Sequence, residues 1–278
     1  MKKIVLLISI CLLPVFALAQ DDEVDVEDST LCSDTLRIPA EEIEPLEEFR
    51  FIINDAFGVG EKLTFTIGWK MVKAGEATME VNEVFNHDDR PVYRVKTLAR
   101  SFEFFDNFFK VRDTAETWID VEGLFTWYFR KKLHEGSYEN EQIQIYDQAR
   151  GIVRAQDTAF VVPRYVQDVL SSLYYVRTQD LEVGDTLTLD NFSKDKCYPL
   201  EVIVHKKEII EVPAGKFKCI KVEPLLKSAG VFKHEGTLSV WLTDDRLKMP
   251  VLMRSKVLVG SIYAERTDYR IGDLYEWE

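Results

Sequence analysis

From Leu63 to Lys70 apolar and polar positions alternate, with Leu63, Phe65, Ile67 and Trp69 on one face and Thr64, Thr66, Gly68 and Lys70 on the other. After a turn at Ala74-Gly75 the alternation resumes in Ala77, Met79 and Val81. Successive strand side chains point to opposite faces, so a period of two predicts a half-buried hairpin. Similar runs recur at 92–99, 114–120, 125–133, 142–146, 200–205, 216–222, 237–242, 251–258 and 261–269. With Gly and Pro between them at hairpin spacing, they predict a mainly β protein. Its architecture is a large antiparallel sheet structure, either a partly open barrel or a twisted sandwich.

One segment breaks the period. In PRYVQDVLSSLYYVRTQ the apolar residues Val166, Val169, Leu170, Leu173 and Tyr174 fall at i, i+3, i+4, i+7 and i+8, the stripe of one helix face. This predicts one short connecting helix over 163–178, with Pro163 at its start, Asp168 in its early turn and Arg177 in its last.

The chain also repeats itself. VGEKLTF at Val59 returns as VGDTLTL at Val183, 124 residues later, and Tyr93-Arg94-Val95 returns at the same offset as Phe217-Lys218-Cys219. Arg130-x-Lys132-x-x-x-Gly136-Ser137 returns as Arg254-x-Lys256-x-x-x-Gly260-Ser261, again 124 apart, and TWID at Thr117 and VWLTD at Val240 agree within one residue of it. A common offset predicts a β domain, 51–278, made of two similar halves, 51–162 and 180–278, bridged by the helix. The competing reading is chance likeness, since alternation itself generates matches.

Ahead of this domain the composition changes twice. MKKIVLLISICLLPVFALAQ has two lysines, an apolar run from Ile4 to Phe16 and the small-x-small site Ala17-Leu18-Ala19, which predicts a signal peptide over 1–19. The run falls short of the ~20 residues a membrane-spanning helix needs, so no transmembrane segment is expected. Cys11 lacks the small residues that precede a lipidated cysteine, which makes a lipoprotein the lesser alternative. From Asp21 to Arg50, twelve acidic side chains face only Arg37 and Arg50, so residues 20–50 read as a self-repelling, acidic flexible tether. Without Lys2 and Lys3, 33 basic residues stand against 48 acidic ones, a net charge of −15. Nucleic acid is a poor partner for such a chain, because phosphate binding needs a basic patch. The expected location is exported, on the periplasmic or outer-surface side of a bacterial envelope. The cysteines that remain, Cys32, Cys197 and Cys219, are too few for a disulfide framework; at 197 and 219 small buried hydrophobes are expected, with one bridge as the alternative.

VGEKLTFTIGWKMVKAGEATMEV, FKVRDTAETWID, YVQDVLSSLYYVR and VPAGKFKCIKVEP, followed by WLTDD and VGS, resemble a family of exported bacterial proteins catalogued only as a domain of unknown function. The likeness covers nearly all of residues 55–270, and its most specific part is the D-x-L-S-x-L-Y-Y-x-R core from Asp168 to Arg177, with Val169 a conservative departure. It implies an exported, β-rich fold and assigns no catalytic residue.

Motifs for chemistry are sparse. His87, His134, His205 and His234 are scattered without ligand spacing, so neither a metal nor a cofactor is expected. Asn86 to Asp89 has the composition of a hairpin turn, and Gly58-Val59-Gly60 lacks the third glycine and following helix of a dinucleotide loop. There is no G-x-S-x-G elbow. Asp244-Asp245 suits a polar turn better than a carboxylate pair, since neighbours on a strand face opposite ways. Arg130 with Lys132, and Arg254 with Lys256, share a face and are candidates for an anionic head group or sugar acid, against a solvated face paired with Glu and Asp.

In SFEFFDNFFKVRD, neither a strand nor a helical period gathers Phe102, Phe104, Phe105, Phe108 and Phe109 on one face. They are core, or they line the mouth of a sheet cavity for an acyl chain. The leading expectation is a non-enzymatic envelope protein binding an apolar or amphiphilic ligand, such as a lipid, or an envelope component. The alternatives are a structural or interaction module meeting another envelope protein, and a hydrolase of envelope polymers using Asp244, Asp245, His134 or His234.

Overall fold

The computed structural model describes residues 43–226, 238–256 and 260–276. The expected signal peptide and most of the expected tether lie outside the described residues. Fourteen strands form one antiparallel sheet. The first eight are β1 (Lys62–Trp69), β2 (Val72–His87), β3 (Arg90–Ser101), β4 (Arg112–Asp120), β5 (Thr126–Glu135), β6 (Tyr138–Asp147), β7 (Ile152–Ala155) and β8 (Thr158–Val161). After a helical connection follow β9 (Thr186–Ser193), β10 (Lys196–Val212), β11 (Gly215–Leu226), β12 (Leu238–Thr243), β13 (Pro250–Lys256) and β14 (Ser261–Arg270). The two meanders join through β1 against β14, giving the order β8-β7-β6-β5-β4-β3-β2-β1-β14-β13-β12-β11-β10-β9.

The sheet is not closed by hydrogen bonds, yet its edges meet. Phe160 on β8 stacks on Phe192 of β9 at 5.4 Å between ring centroids, and Tyr146 of β6 reaches the same ring at 6.4 Å. One buried cluster joins Leu63, Val81 and Val95 of the first meander to Val202, Val222 and Val240 of the second, so the sheet curls around a shared core. Burial alternates along the strands, as in Leu63, Phe65 and Ile67 of β1. This is the physical basis for reading the period from sequence: each second side chain leaves water, and a one-residue slip would expose them all.

Two helices complete the fold: α1 (Glu103–Asp106), a single turn in the β3–β4 connection, and α2 (Val169–Arg177), which lies inside the curl. The helix expected over 163–178 begins later. Gln167 pairs with Asn191 of β9 in a parallel bridge, which keeps the chain extended up to Asp168. Asp168 is therefore the N-cap, with ψ 177°, rather than a residue of the first turn. The described residues just ahead of position 51 are held against the sheet. Leu46 N–H donates to the Ala149 carbonyl, Phe49 stacks on Phe125 at 5.3 Å, and the Arg50 guanidinium donates to the carbonyls of Gly123 and Leu124. Apolar and bidentate anchors hold this stretch despite its acidity.

The cysteines divide. Cys219 is a buried free thiol, whereas Cys197 is disulfide-bonded, so the expectation of a plain buried hydrophobe fails at 197.

Candidate functional site

Strand direction places the turns β1–β2, β3–β4, β5–β6, β9–β10 and β13–β14 at one end of the sheet and the turns β2–β3, β4–β5, β6–β7 and β12–β13 at the other. At ~3.3 Å per residue these ends stand roughly 30 Å apart.

The helix motif has a structural account. Asp168 is fully buried; its carboxylate accepts from the hydroxyls of Thr117 on β4 and Thr126 on β5, and from the backbone N–H of Leu170 and Ser171. Ser171 Oγ in turn accepts from Asp168 N–H, closing a capping box. Burial pushes the Asp168 carboxyl up, and these four donors pull it back. At the other end Arg177, also fully buried, forms a two-pronged ion pair with Glu61, at 2.7 and 2.6 Å, and donates to the carbonyls of Ala56 and Leu247. Burial works against the guanidinium's charge, Glu61 outweighs it, and the group ends above its ordinary value. Asp168 ties α2 to β4 and β5, and Arg177 ties it to the residues leading into β1 and to the β12–β13 turn.

Between these clamps α2 roofs a cavity. Val169, Leu173 and Val176 of the helix face Val202, Val222 and Val240 of the inner sheet surface, and Ser193, Pro224 and Leu238 reach it at the β9–β10 turn end. Among the described residues its polar lining consists of Ser172, Asn191 and Ser193, and Asn191 already donates to Ser172 Oγ at 2.9 Å. The space open to the centre of a water-sized sphere is ≈ 70 Å³, and the empty volume with adjoining open solvent included is ≈ 750 Å³. One water needs about 10–15 Å³ on the first measure, so several water-sized groups, or a short run of methylenes, fit. Water gains few hydrogen bonds from such walls, whereas hydrocarbon loses nothing there.

A family model described as "Protein of unknown function (DUF3108)" matches residues 64–267. The chain belongs to this family. As a DUF3108 protein it is similar in fold to a β-barrel-like protein of the domain of unknown function DUF1849 from Brucella abortus, at 12% identity and a TM-score of 0.53, over 78% of this chain and 100% of that one. Weaker matches are a Bacteroides fragilis protein described as exported with a YmcC-like fold (14% identity, TM-score 0.30, 80% and 100% covered) and a Parabacteroides distasonis protein described as a lipoprotein (11%, 0.34, 81% and 100%). No curated protein matches the sequence.

The Phe cluster of this DUF3108 chain does not line the cavity. It forms a knuckle on the β3–β4 connection, in which Phe104 and Phe108 are exposed and stack at 5.6 Å, Phe102 and Phe105 are half-buried, and Phe109 packs on the core. Phe109 leans on Gly136, where φ is +63° and an added Cβ would come within 2.8 Å of the ring, so this turn has no room for a side chain. The cationic candidates lie on the outer face. Arg130 pairs with Glu141 at 2.5 Å, and with Lys132 it borders a shallow groove containing the Lys62–Glu80 and Lys96–Glu116 pairs. Arg254 sits over the Trp241 ring at 5.8 Å and Lys256 is exposed. The structure brings neither pair to the cavity.

Nor do the hydrolase candidates converge. His134 is at the β5–β6 end, Asp244 and Asp245 at the opposite one, where Asp244 meets Lys207 at 2.8 Å and Asp245 accepts from the N–H groups of Leu247 and Lys248; His234 lies outside the described residues. Among the described residues no group of three metal-ligating side chains occurs.

Sequence reasoning missed a second buried site. Asp113, Lys131, Glu135 and Gln144 are all buried among the inner strands of the first meander, with Asp113 accepting from the His134 N–H at 2.8 Å. Burial, with Glu135 adding to it, pushes the Asp113 carboxyl up to about 7 against the pull of the His134 N–H and Lys131. Lys131 sits inside the apparently uniform Arg130-Lys131-Lys132 run, and only its alternate position hinted that it faces inward.

Proposed function

We propose that this protein is an exported, non-enzymatic envelope protein that holds the acyl portion of an amphiphile in the cavity beneath α2. The observation carrying the reading is the cavity itself: an apolar space inside the curl, lined by inward side chains of five strands and roofed by a helix clamped at both termini. The leader-like N-terminus and the Cys197 disulfide support an oxidising, extracytoplasmic location.

The cavity has a rationale in the two similar halves. Shifting the bounds of β1–β6 by 124 residues lands within two residues of the starts of β9–β14. Two copies closing symmetrically would pair β6 with β9 just as β14 pairs with β1. The β7–β8 hairpin and α2, which have no counterpart in the second half, occupy that seam instead. A duplicated barrel held open at one seam leaves interior space that neither half fills.

The test is native mass spectrometry of the protein purified from its own envelope, followed by organic extraction. An extractable lipid adduct is expected, and Val240→Trp, which fills the cavity, is expected to reduce its occupancy about tenfold while the thermal midpoint shifts by only a few degrees. A bare mass for the parent, or unchanged occupancy in the variant, would remove the reading.

A further inference from the structure

We propose that the end of the sheet carrying Met71, Phe104 and Phe108 docks onto the surface of an anionic lipid bilayer. The turns at this end form one connected rim. Phe102 N–H donates to the Ala74 carbonyl, Gly136 N–H to the Lys110 carbonyl, and Lys70 N–H to the Ser261 carbonyl, so the β1–β2, β3–β4, β5–β6 and β13–β14 connections hold one another in place. On that rim Met71 is 95% exposed, Phe104 68% and Phe108 69%. Polar turns satisfy the same backbone geometry at lower solvation cost, so large apolar side chains at two neighbouring tips point to an apolar partner.

Charge names the partner. Lys70, Lys110, Lys194, Lys196 and Lys256 stand at this end, against Glu103, Glu139, Asp157 and Asp195, with His134 beside Glu139; Asp106 is taken up by Arg112, and Lys73 by Glu265 at 3.5 Å. The opposite end carries Asp88, Asp89, Glu182, Asp185 and Asp245, together with the docked stretch containing Glu44, Glu47 and Glu48, against Lys216, Arg246 and Lys248. A chain of formal net charge −13 thus gathers many of its carboxylates at the opposite end and leaves lysines around the exposed Phe104 and Phe108 rings. Insertion of aromatic and Met side chains into the headgroup region, with lysines on anionic lipid, is how peripheral proteins hold a membrane. Ser193, Pro224 and Leu238 of the cavity wall lie toward this same end; the docking itself does not depend on the acyl-binding reading.

The experiment is co-sedimentation of the mature chain with phosphatidylcholine vesicles, with and without phosphatidylglycerol, at low and high salt, with sedimentation velocity of the protein alone. Binding is expected on phosphatidylglycerol-containing vesicles at low salt. It should fall about tenfold in Phe104→Ser/Phe108→Ser and by a similar factor in Lys70→Glu/Lys110→Glu, variants at exposed positions whose circular dichroism is expected to be unchanged. Val240→Trp should bind vesicles like the parent, which separates this result from the cavity reading. Absence of vesicle binding at low salt, or binding indifferent to both variants, overturns the proposal. So does a dimer of the chain that the Phe variants dissolve while vesicles bind nothing, because the rim is then covered by a second copy.

Discussion

Arg177→Met is expected to lower the unfolding free energy by about 3–5 kcal/mol, read as a shift of the urea midpoint at constant slope. Arg177 and Glu61 are both excluded from water and meet through two hydrogen bonds, and the same guanidinium satisfies the carbonyls of Ala56 and Leu247. Removing the cation strands a buried carboxylate together with two carbonyls. Desolvation of that lone charge, more than loss of the attraction, sets the size of the effect. The double variant Arg177→Met/Glu61→Leu, which removes both charges and keeps the volume apolar, should therefore recover a large part of the loss. A single variant costing under about 1 kcal/mol would mean that water reaches Glu61, and the clamp would no longer explain the motif's final arginine. The clamp also matters for function: without it the C-terminal end of the helix roof loses its ties to Glu61, Ala56 and Leu247, while Asp168 and the Asn191–Ser172 hydrogen bond still hold its first turn.

The second large effect is in pH. The Asp113 carboxyl titrates near 7 in the folded chain against about 3.9 when unfolded. Between those values the native state binds a proton that the unfolded state does not, so stability falls as pH rises through this window. The contribution is fully present below about pH 4 and lost above about pH 7, and three units at 1.36 kcal/mol each bound it at roughly 4 kcal/mol. Asp113→Asn keeps an uncharged oxygen on the His134 N–H and has nothing to ionise. The variant is expected to gain on the parent between pH 5 and pH 8 by about 2–4 kcal/mol, checked by urea unfolding of both proteins across that range. A parallel pH dependence in the two proteins would place the buried proton elsewhere, with Glu135 the neighbour to examine.

How far the sequence carried the account differs by element. Strands whose two faces differ in polarity, such as β1 and β3, were legible because alternation is the direct imprint of a half-buried sheet. The short β7 and β8 were not, since four residues such as Ile152 to Ala155 hold too few periods to register. Helix α2 was visible in its stripe, while its true start depended on a bridge from Gln167 to a strand far along the chain. The Phe cluster was legible as an anomaly, five aromatics that no single period could bury, and its place on a rim came from the stitching of neighbouring turns. The motif from Asp168 to Arg177 could be recognised and quoted, but its roles needed Thr117, Thr126 and Glu61, which lie 51, 42 and 116 positions away.

What the sequence by itself determined is the local and additive part: strand period, helix stripe, turn chemistry, the leader-like start, the acidic run, the family and the common offset of 124 residues. These follow from each residue's own preference for water or core and from its immediate neighbours. Only the tertiary structure decided what depends on distant segments meeting: that β1 pairs β14, that the edges meet through Phe160 and Phe192 without a ladder, and that α2 fills the seam. The cavity belongs to this second group. A void is the space that the packed side chains of five strands and a helix fail to fill, and no one segment encodes its volume.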